Sequence, residues 1–174
     1  MIDFVTEAVD TARSQLPSED GYIVSHAPLA GYVSTWAGND NGYAGWMREN
    51  GHKIDFLAIQ YYNHNTFTQY SQVFEQSPQP YGQASVKELI NIMGIDSEKI
   101  VVGKYLTTAD GSNGYVNSAT LSSWGCQAAN DASINFTGGY MVWMYRNDQA
   151  QLSETWSNDL RSCADDSLNL DLGH

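Results

Sequence analysis

The run Ile54-Asp55-Phe56-Leu57-Ala58-Ile59 is almost wholly apolar, and it stops abruptly in Gln60-Tyr61-Tyr62-Asn63. A short apolar run of this kind reads as a buried strand. A strand interior has no use for a Gln-Tyr-Tyr-Asn cluster. The carboxyl end of a parallel strand, facing a ligand, does. Gln60 offers an amide that both donates and accepts, and each tyrosine offers one phenolic donor. Much later, Gly138-Gly139-Tyr140-Met141-Val142-Trp143 forms another such run and ends in an indole, the largest apolar face a side chain can present. These groups suit binding by hydrogen bonds and stacking. No strong acid stands beside them.

The elements that must position these residues alternate along the chain. Ile2, Val5, Ala8, Val9, Ala12 and Leu16 keep helical spacing, and Pro17 stops the helix at residues 2–16. Residues 21–28 read as a buried strand ending at Pro28, followed by a Gly/Asn/Trp-rich loop and a short helix around Trp46, Met47 and Arg48. The second strand spans 54–61. A polar, Gln-rich loop leads to a helix over 84–93, ended by Gly94. The third strand is Lys99–Tyr105, a helix covers 117–130, the fourth strand is Gly138–Met144, and a last helix covers about 149–160. Strands alternating with helices predict an α/β fold of parallel βα repeats with right-handed crossovers. Near-continuous apolar strands fit a sheet covered on both faces. Four such units make either a small open sheet or half of an eight-unit barrel, and composition does not separate the two.

The chain has 174 residues, enough for one domain with a substantial core. We expect that domain at 1–163, with an acidic, frayed tail at 164–174. Twenty acidic against eight basic residues give a net charge of −12, which argues against nucleic acid or an anionic membrane as a partner and fits a neutral or cationic ligand. No apolar stretch approaches the roughly 20 residues of a membrane helix. The N-terminus shows neither the basic nor the apolar region of a signal peptide. Two cysteines, Cys126 and Cys163, are too few for a disulfide scaffold. They fall in the last two predicted helices, and a bridge between them depends on geometry and on an oxidising compartment. Nothing implies a metal or a cofactor.

In order along the chain, the four strand ends resemble the second half of a family 18 glycoside hydrolase, the chitinase family with a (β/α)8 TIM barrel. Gln60-Tyr61-Tyr62-Asn63 is similar to the end of that family's sixth strand, commonly Gln-aromatic-Tyr-Asn. Ser25-His26-Ala27-Pro28 resembles the end of the fifth, Lys99-Ile100-Val101-Val102-Gly103-Lys104 the seventh, and Gly138–Trp143 the eighth. The helix beginning Ile2-Asp3-Phe4 fits the one before strand five. The match is strongest with the fungal and plant-type endochitinase branch. The family's acidic signature, Asp-x-x-Asp-x-Asp-x-Glu at the end of strand four, occurs nowhere in this chain.

The resemblance implies roles. In this family the nucleophile is the substrate's own N-acetyl group, an exception to the two-carboxylate rule. A protein acid protonates the leaving oxygen and an Asp orients the acetamide; both belong to the absent signature. Tyr62 would donate to the acetamide oxygen, Gln60 would bind the same sugar, and Trp143 would stack beneath its ring. Asn63 and Tyr32 would contact substrate nearby. The expected ligand is chitin or an N-acetylglucosamine oligosaccharide, and the chain alone is expected to be inactive. The parent protein would be secreted.

Plainer readings stand beside these. Gln60 could bond loop backbone, Tyr62 and Trp143 could be core residues, and Asn63 could cap a loop. Tyr32, Trp36, Tyr43 and Trp46 would either line sugar subsites or pack their loop. His26 and His64 follow strand ends, but with no third ligand in view they read as ordinary loop or core histidines. Asp110 and Asp148 follow the third and fourth strands, and nothing in the sequence brings them together. Asp55, at the start of its strand, belongs at the opposite, stability face. Asn135-Phe136-Thr137 is a glycosylation sequon. Three functional readings follow: an enzyme fragment, a non-catalytic chitin-binding half barrel, or an unrelated open-sheet protein. A lone half barrel leaves two open sheet edges, so self-association or a missing N-terminal half is expected.

Overall fold

The structure, a computed structural model, describes residues 2–33 and 43–144. The expected helix at 149–160, the tail at 164–174, Trp36, Asp148 and Cys163 lie outside the described residues. Helices α1 (Ile2–Gln15), α2 (Ala30–Val33), α3 (Tyr43–Asn50), α4 (Val86–Asn91) and α5 (Ser118–Asn130) alternate with strands β1 (Ser25–His26), β2 (Phe56–Gln60), β3 (Ile100–Tyr105) and β4 (Gly139–Trp143). The four strands form one parallel sheet in the order β1-β2-β3-β4. Sequential order with every connection a crossover is the arrangement of a barrel wall.

Register levels the carboxyl ends. Gln60 sits opposite Gly103, and Tyr105 opposite Trp143. Side chains alternate between the two faces of a strand, so neighbours in sequence serve different layers. Tyr61 turns to the helix side and donates to Ala84 O at 2.6 Å. Tyr140 packs against α5, where a Cβ at Gly125 would lie 1.8 Å from the tyrosine hydroxyl, so only glycine lets the helix approach. Leu57, Ile59, Ile100 and Val102 are fully buried with Leu89 of α4 and Leu121 of α5.

Local chemistry sets the helix starts. Ser85 caps α4 in a reciprocal box with Glu88. Glu88 also accepts from Ser77 N at 3.0 Å and Ser77 Oγ at 2.6 Å, which ties the preceding loop to the helix. Burial opposes ionisation of Glu88, but the four bonds from Ser77 and Ser85 outweigh it and hold the pKa below the usual range. Asn117 caps α5 through Thr120 N at 2.8 Å.

One expectation is corrected at the first strand. The strand itself is only Ser25–His26, with one further bridge from Leu29 to Gln60, and Tyr22 and Ile23 are 49% and 68% exposed rather than buried. Among the described residues β1 has one neighbouring strand and is an edge of the sheet. The chain before β1 is held by side chains instead: Asp55 Oδ2 accepts from Val24 N at 2.6 Å and from Arg13 Nη2 at 2.5 Å, and Arg13 Nη1 donates to Tyr22 O at 3.1 Å. Burial opposes charge on Asp55; the Val24 and Arg13 contacts prevail and lower its pKa. Cys126, on α5, is disulfide-bonded.

Candidate active site

A cavity of about 340 Å³ lies at the carboxyl ends of β2, β3 and β4, lined by Gln60, Tyr62, Asn63, Tyr105, Asp110 and Trp143. The polar cluster after β2 and the distant indole thus meet. A second cavity, of about 250 Å³, lies at the amino ends of the strands among residues that include His52, Met93 and Lys99. Loops at the carboxyl ends carry chemistry in barrel folds, whereas the other end serves stability.

Gln60 ends β2, and its Nε2 donates to Ala27 O at 2.5 Å. That bond fixes which end of the amide is which, because a flipped amide would set oxygen against oxygen. Tyr62 is only 2% exposed, and its ring centroid lies 4.6 Å from that of Tyr105 at a 38° tilt. The Tyr62 hydroxyl bonds to no described residue. Burial, with Tyr105 adding to it, pushes its pKa up to about 12, so the phenol is a neutral donor at any ordinary pH. The Tyr105 hydroxyl donates to Asn63 Oδ1. Burial and the nearby Asp110 both raise the Tyr105 pKa. Asp110 Oδ2 accepts from Thr107 N and Thr107 Oγ1, each at 2.9 Å. Trp143 is half exposed and lines the cavity. The site therefore combines phenol and amide donors, one carboxylate and a flat apolar wall.

Asn63 has φ +64 and donates its backbone N–H to Asn113 O at 3.0 Å, so it is fixed by the loop after β3. That loop makes a close approach at Gly114 (φ +90), where a Cβ would stand 2.8 Å from Tyr62 Cα. Beneath these loops Lys104 is wholly buried and donates from Nζ to Tyr61 O at 2.8 Å, Phe67 O at 2.5 Å and Gly114 O at 3.1 Å. Burial lowers its pKa to about 7.

Other candidates fall elsewhere. Tyr32, on α2, is 62% exposed and does not line the cavity. Trp46 is buried, donates from Nε1 to Thr6 Oγ1 at 2.8 Å, and stacks on His26 at 5.6 Å with an 8° interplanar angle. Tyr43 is hydrogen-bonded to His26 Nδ1. Trp46 and Tyr43 therefore pack their loop and build no subsite, because α1 and His26 already cover their polar atoms. Burial lowers the His26 pKa; burial, then Lys104, lowers that of His64. His64 rests on Tyr81, and its Nε2 has no hydrogen-bond partner among the described residues. Among the described residues no three His, Cys, Asp or Glu side chains cluster as a metal site would require.

Tyr105 and Lys104 were not singled out from sequence. Tyr105 ends its strand as Gln60 does, so strand alternation could have found it. Lys104 carried no signal, because a lysine in an apolar strand shows neither its depth nor its acceptors.

No family model matches the sequence, and no curated protein matches it. Solved structures do. The chain resembles a GH18 chitinase from Pseudoalteromonas aurantia with TM-score 0.69 and 21% identity, over 91% of this chain and 53% of that one. A putative chitinase A from Streptomyces coelicolor gives 0.66 and 17%, over 94% and 57%. ChiC, a chitinase from Aspergillus fumigatus, gives 0.55 and 20%, over 95% and 53%. The chain spans about half the length of the solved structures it matches. It has the fold of one half of a family 18 glycoside hydrolase barrel.

Proposed function

We propose that this chain is the C-terminal half of a chitinase-type barrel, of the fungal and plant-type endochitinase branch by its strand-end motifs, and that its cavity holds one N-acetylglucosamine unit of a β-1,4-linked chain. The observation that carries this reading is the meeting of Gln60, Tyr62 and Trp143 around one cavity at the carboxyl end of the sheet. The Tyr62 hydroxyl, which bonds to no described residue, stays protonated and suits the acetamide oxygen as it attacks the anomeric carbon. Such a donor contributes about 2–4 kcal/mol where charge develops. Gln60 presents its remaining amide capacity to the same sugar, Trp143 supports the ring face, and Asn63 contacts substrate at the rim. Tyr32, exposed on α2, is an outer contact at most.

The acid that protonates the leaving oxygen lies outside this chain. The Asp-x-x-Asp-x-Asp-x-Glu signature is absent from its sequence. The complete barrel hydrolyses N-acetylglucosamine polymers; this chain alone binds them without cleaving them. Among the described residues β1 and β4 are the outer strands, and their open edges suit pairing with an N-terminal half barrel or a second copy. A calorimetric titration of the chain with N-acetylglucosamine oligomers, beside a reducing-sugar assay, tests the reading. Binding that shifts Trp143 fluorescence, without turnover, is expected. Absence of binding, or binding indifferent to Trp143→Ala, overturns it.

A second reading, a stand-alone chitin-binding half barrel, is favoured by that same missing signature. The reading frame upstream of Met1 separates the two, because only the enzyme fragment requires an acidic signature there.

A further inference from the structure

The structure assigns to Lys104 the role of positioning residue for the sugar-facing loop: its ammonium nitrogen locks the segments 61–67 and 113–114 together and thereby fixes Tyr62 and Asn63. The inference rests on Tyr62 being the sugar donor. Its structural half stands without any sugar.

Lys104 has no exposed surface and is not among the residues that line the cavity. No carboxylate pairs with it among the described residues. Its partners are three main-chain carbonyls: Tyr61 at the end of β2, Phe67 further along the same loop, and Gly114 in the loop after β3. All three partners are acceptors, so each takes an N–H from this one nitrogen: the ammonium form serves all three, and the neutral amine, with two N–H, still spans both loops. Together they tie two separate loops at one atom.

The tied segments are the ones that need restraint. Asn63 and Phe67 both hold left-handed backbone, φ +64 and +62, which non-glycine residues adopt only when their surroundings impose it. Lys104 binds the carbonyl of Phe67 and that of Tyr61, so it grips the loop on both sides of Asn63. The Asn63 N–H to Asn113 O bond and the close contact of Gly114 with Tyr62 Cα complete the seam. Without the amine, three carbonyls would lose their donor in a buried place that water cannot readily reach. The titratable group that senses the Lys104 charge is His64, on the gripped loop.

Amide hydrogen exchange on the full chain tests the assignment, comparing wild type with Lys104→Met and Lys104→Arg. In Lys104→Met, protection at 61–67 and 111–116 should fall at least tenfold while α5 and the β2–β3 pairing keep theirs. Lys104→Arg, which retains donors, should restore part of the protection. Affinity for an N-acetylglucosamine trimer should fall by a similar factor in Lys104→Met and recover in step. Unchanged loop protection, or a uniform loss across α5 and the sheet, overturns the assignment. Should Lys104→Met not fold, wild-type exchange in low denaturant decides instead. The amides of Asn63 and Tyr115, bonded to Asn113 O and Ser112 O, must open together at one rate, and independent opening overturns the proposal. Loop loosening in a chain that binds no sugar at all would leave the seam standing and remove the proposed function.

Discussion

Gln60 Nε2 lies 2.5 Å from Ala27 O, so the end of β2 is bolted to the end of β1 by a side chain that also lines the cavity. The bond commits one amide hydrogen and leaves the carbonyl oxygen and the second hydrogen for a ligand. The backbone-bonding and ligand-binding readings of Gln60 are therefore compatible.

Gln60→Glu replaces that donor with a carboxylate oxygen facing the Ala27 carbonyl. Affinity for N-acetylglucosamine oligomers should drop about tenfold at pH 7, equivalent to ~1.4 kcal/mol, a typical cost for a lost and opposed hydrogen bond. Recovery should follow as pH falls through the ordinary Glu range near ~4.3. Calorimetric titration at pH 7 and pH 4 reads both. Equal affinity at pH 7 would remove Gln60 from the site.

Tyr62→Phe removes a hydroxyl that bonds to no described residue. The melting temperature should stay within a degree or two. Sugar affinity should fall by about fivefold, from ~1 kcal/mol for one neutral hydrogen bond. Because the Tyr62 pKa is pushed up to about 12, wild-type binding should show no phenol titration between pH 6 and 10. A large drop in melting temperature would instead mark Tyr62 as a core residue.

Lys104 couples stability to pH. Its folded pKa is about 7, below the unfolded value near ~10.4, so unfolding takes up a proton between those two pH values. The folded state is therefore favoured as pH rises through that window, by at most ~1.4 kcal/mol per pH unit, and that gain is lost as pH falls through 7. Denaturant midpoints at pH 6, 7.5 and 9 should show a rising contribution that is absent from Lys104→Met. A falling one would refute the assignment of the lowered pKa.

Glu88 accepts bonds from the N–H and hydroxyl groups of both Ser77 and Ser85. Glu88→Gln should cost about 1–3 kcal/mol at pH 7, the range for stripping a partly buried, charge-assisted acceptor. The Glu88 pKa is lowered on folding, so its contribution is present above the unfolded value of ~4.3 and fades as pH falls through the folded one. Wild-type and Glu88→Gln midpoints should converge near pH 3; a gap that persists there would mean the effect is packing rather than charge.

Strand and helix types were legible because each rests on local pattern. The apolar runs at 56–60, 100–105 and 139–143 and the helical spacing at 2–15 need no distant partner to be recognised. The segment at 21–24 was misread as buried because an apolar strand at the sheet edge has the same composition as one inside. Trp46 was a candidate for stacking on sugar and proved to stack on His26, since an aromatic residue in a loop carries no mark of which ring it will meet.

The sequence by itself determined the alternation of strands and helices, the polar and aromatic tips at Gln60, Tyr62 and Trp143, and the absence of the acidic signature. Tertiary structure alone decided that these tips share one cavity with Tyr105 and Asp110, and that Lys104 turns inward to three carbonyls. The reason is physical. Periodicity and composition are properties of neighbours in the chain. The meeting of the ends of β2 and β4, some 80 residues apart, and the depth of one amine depend on register and packing between segments that are not neighbours in the chain.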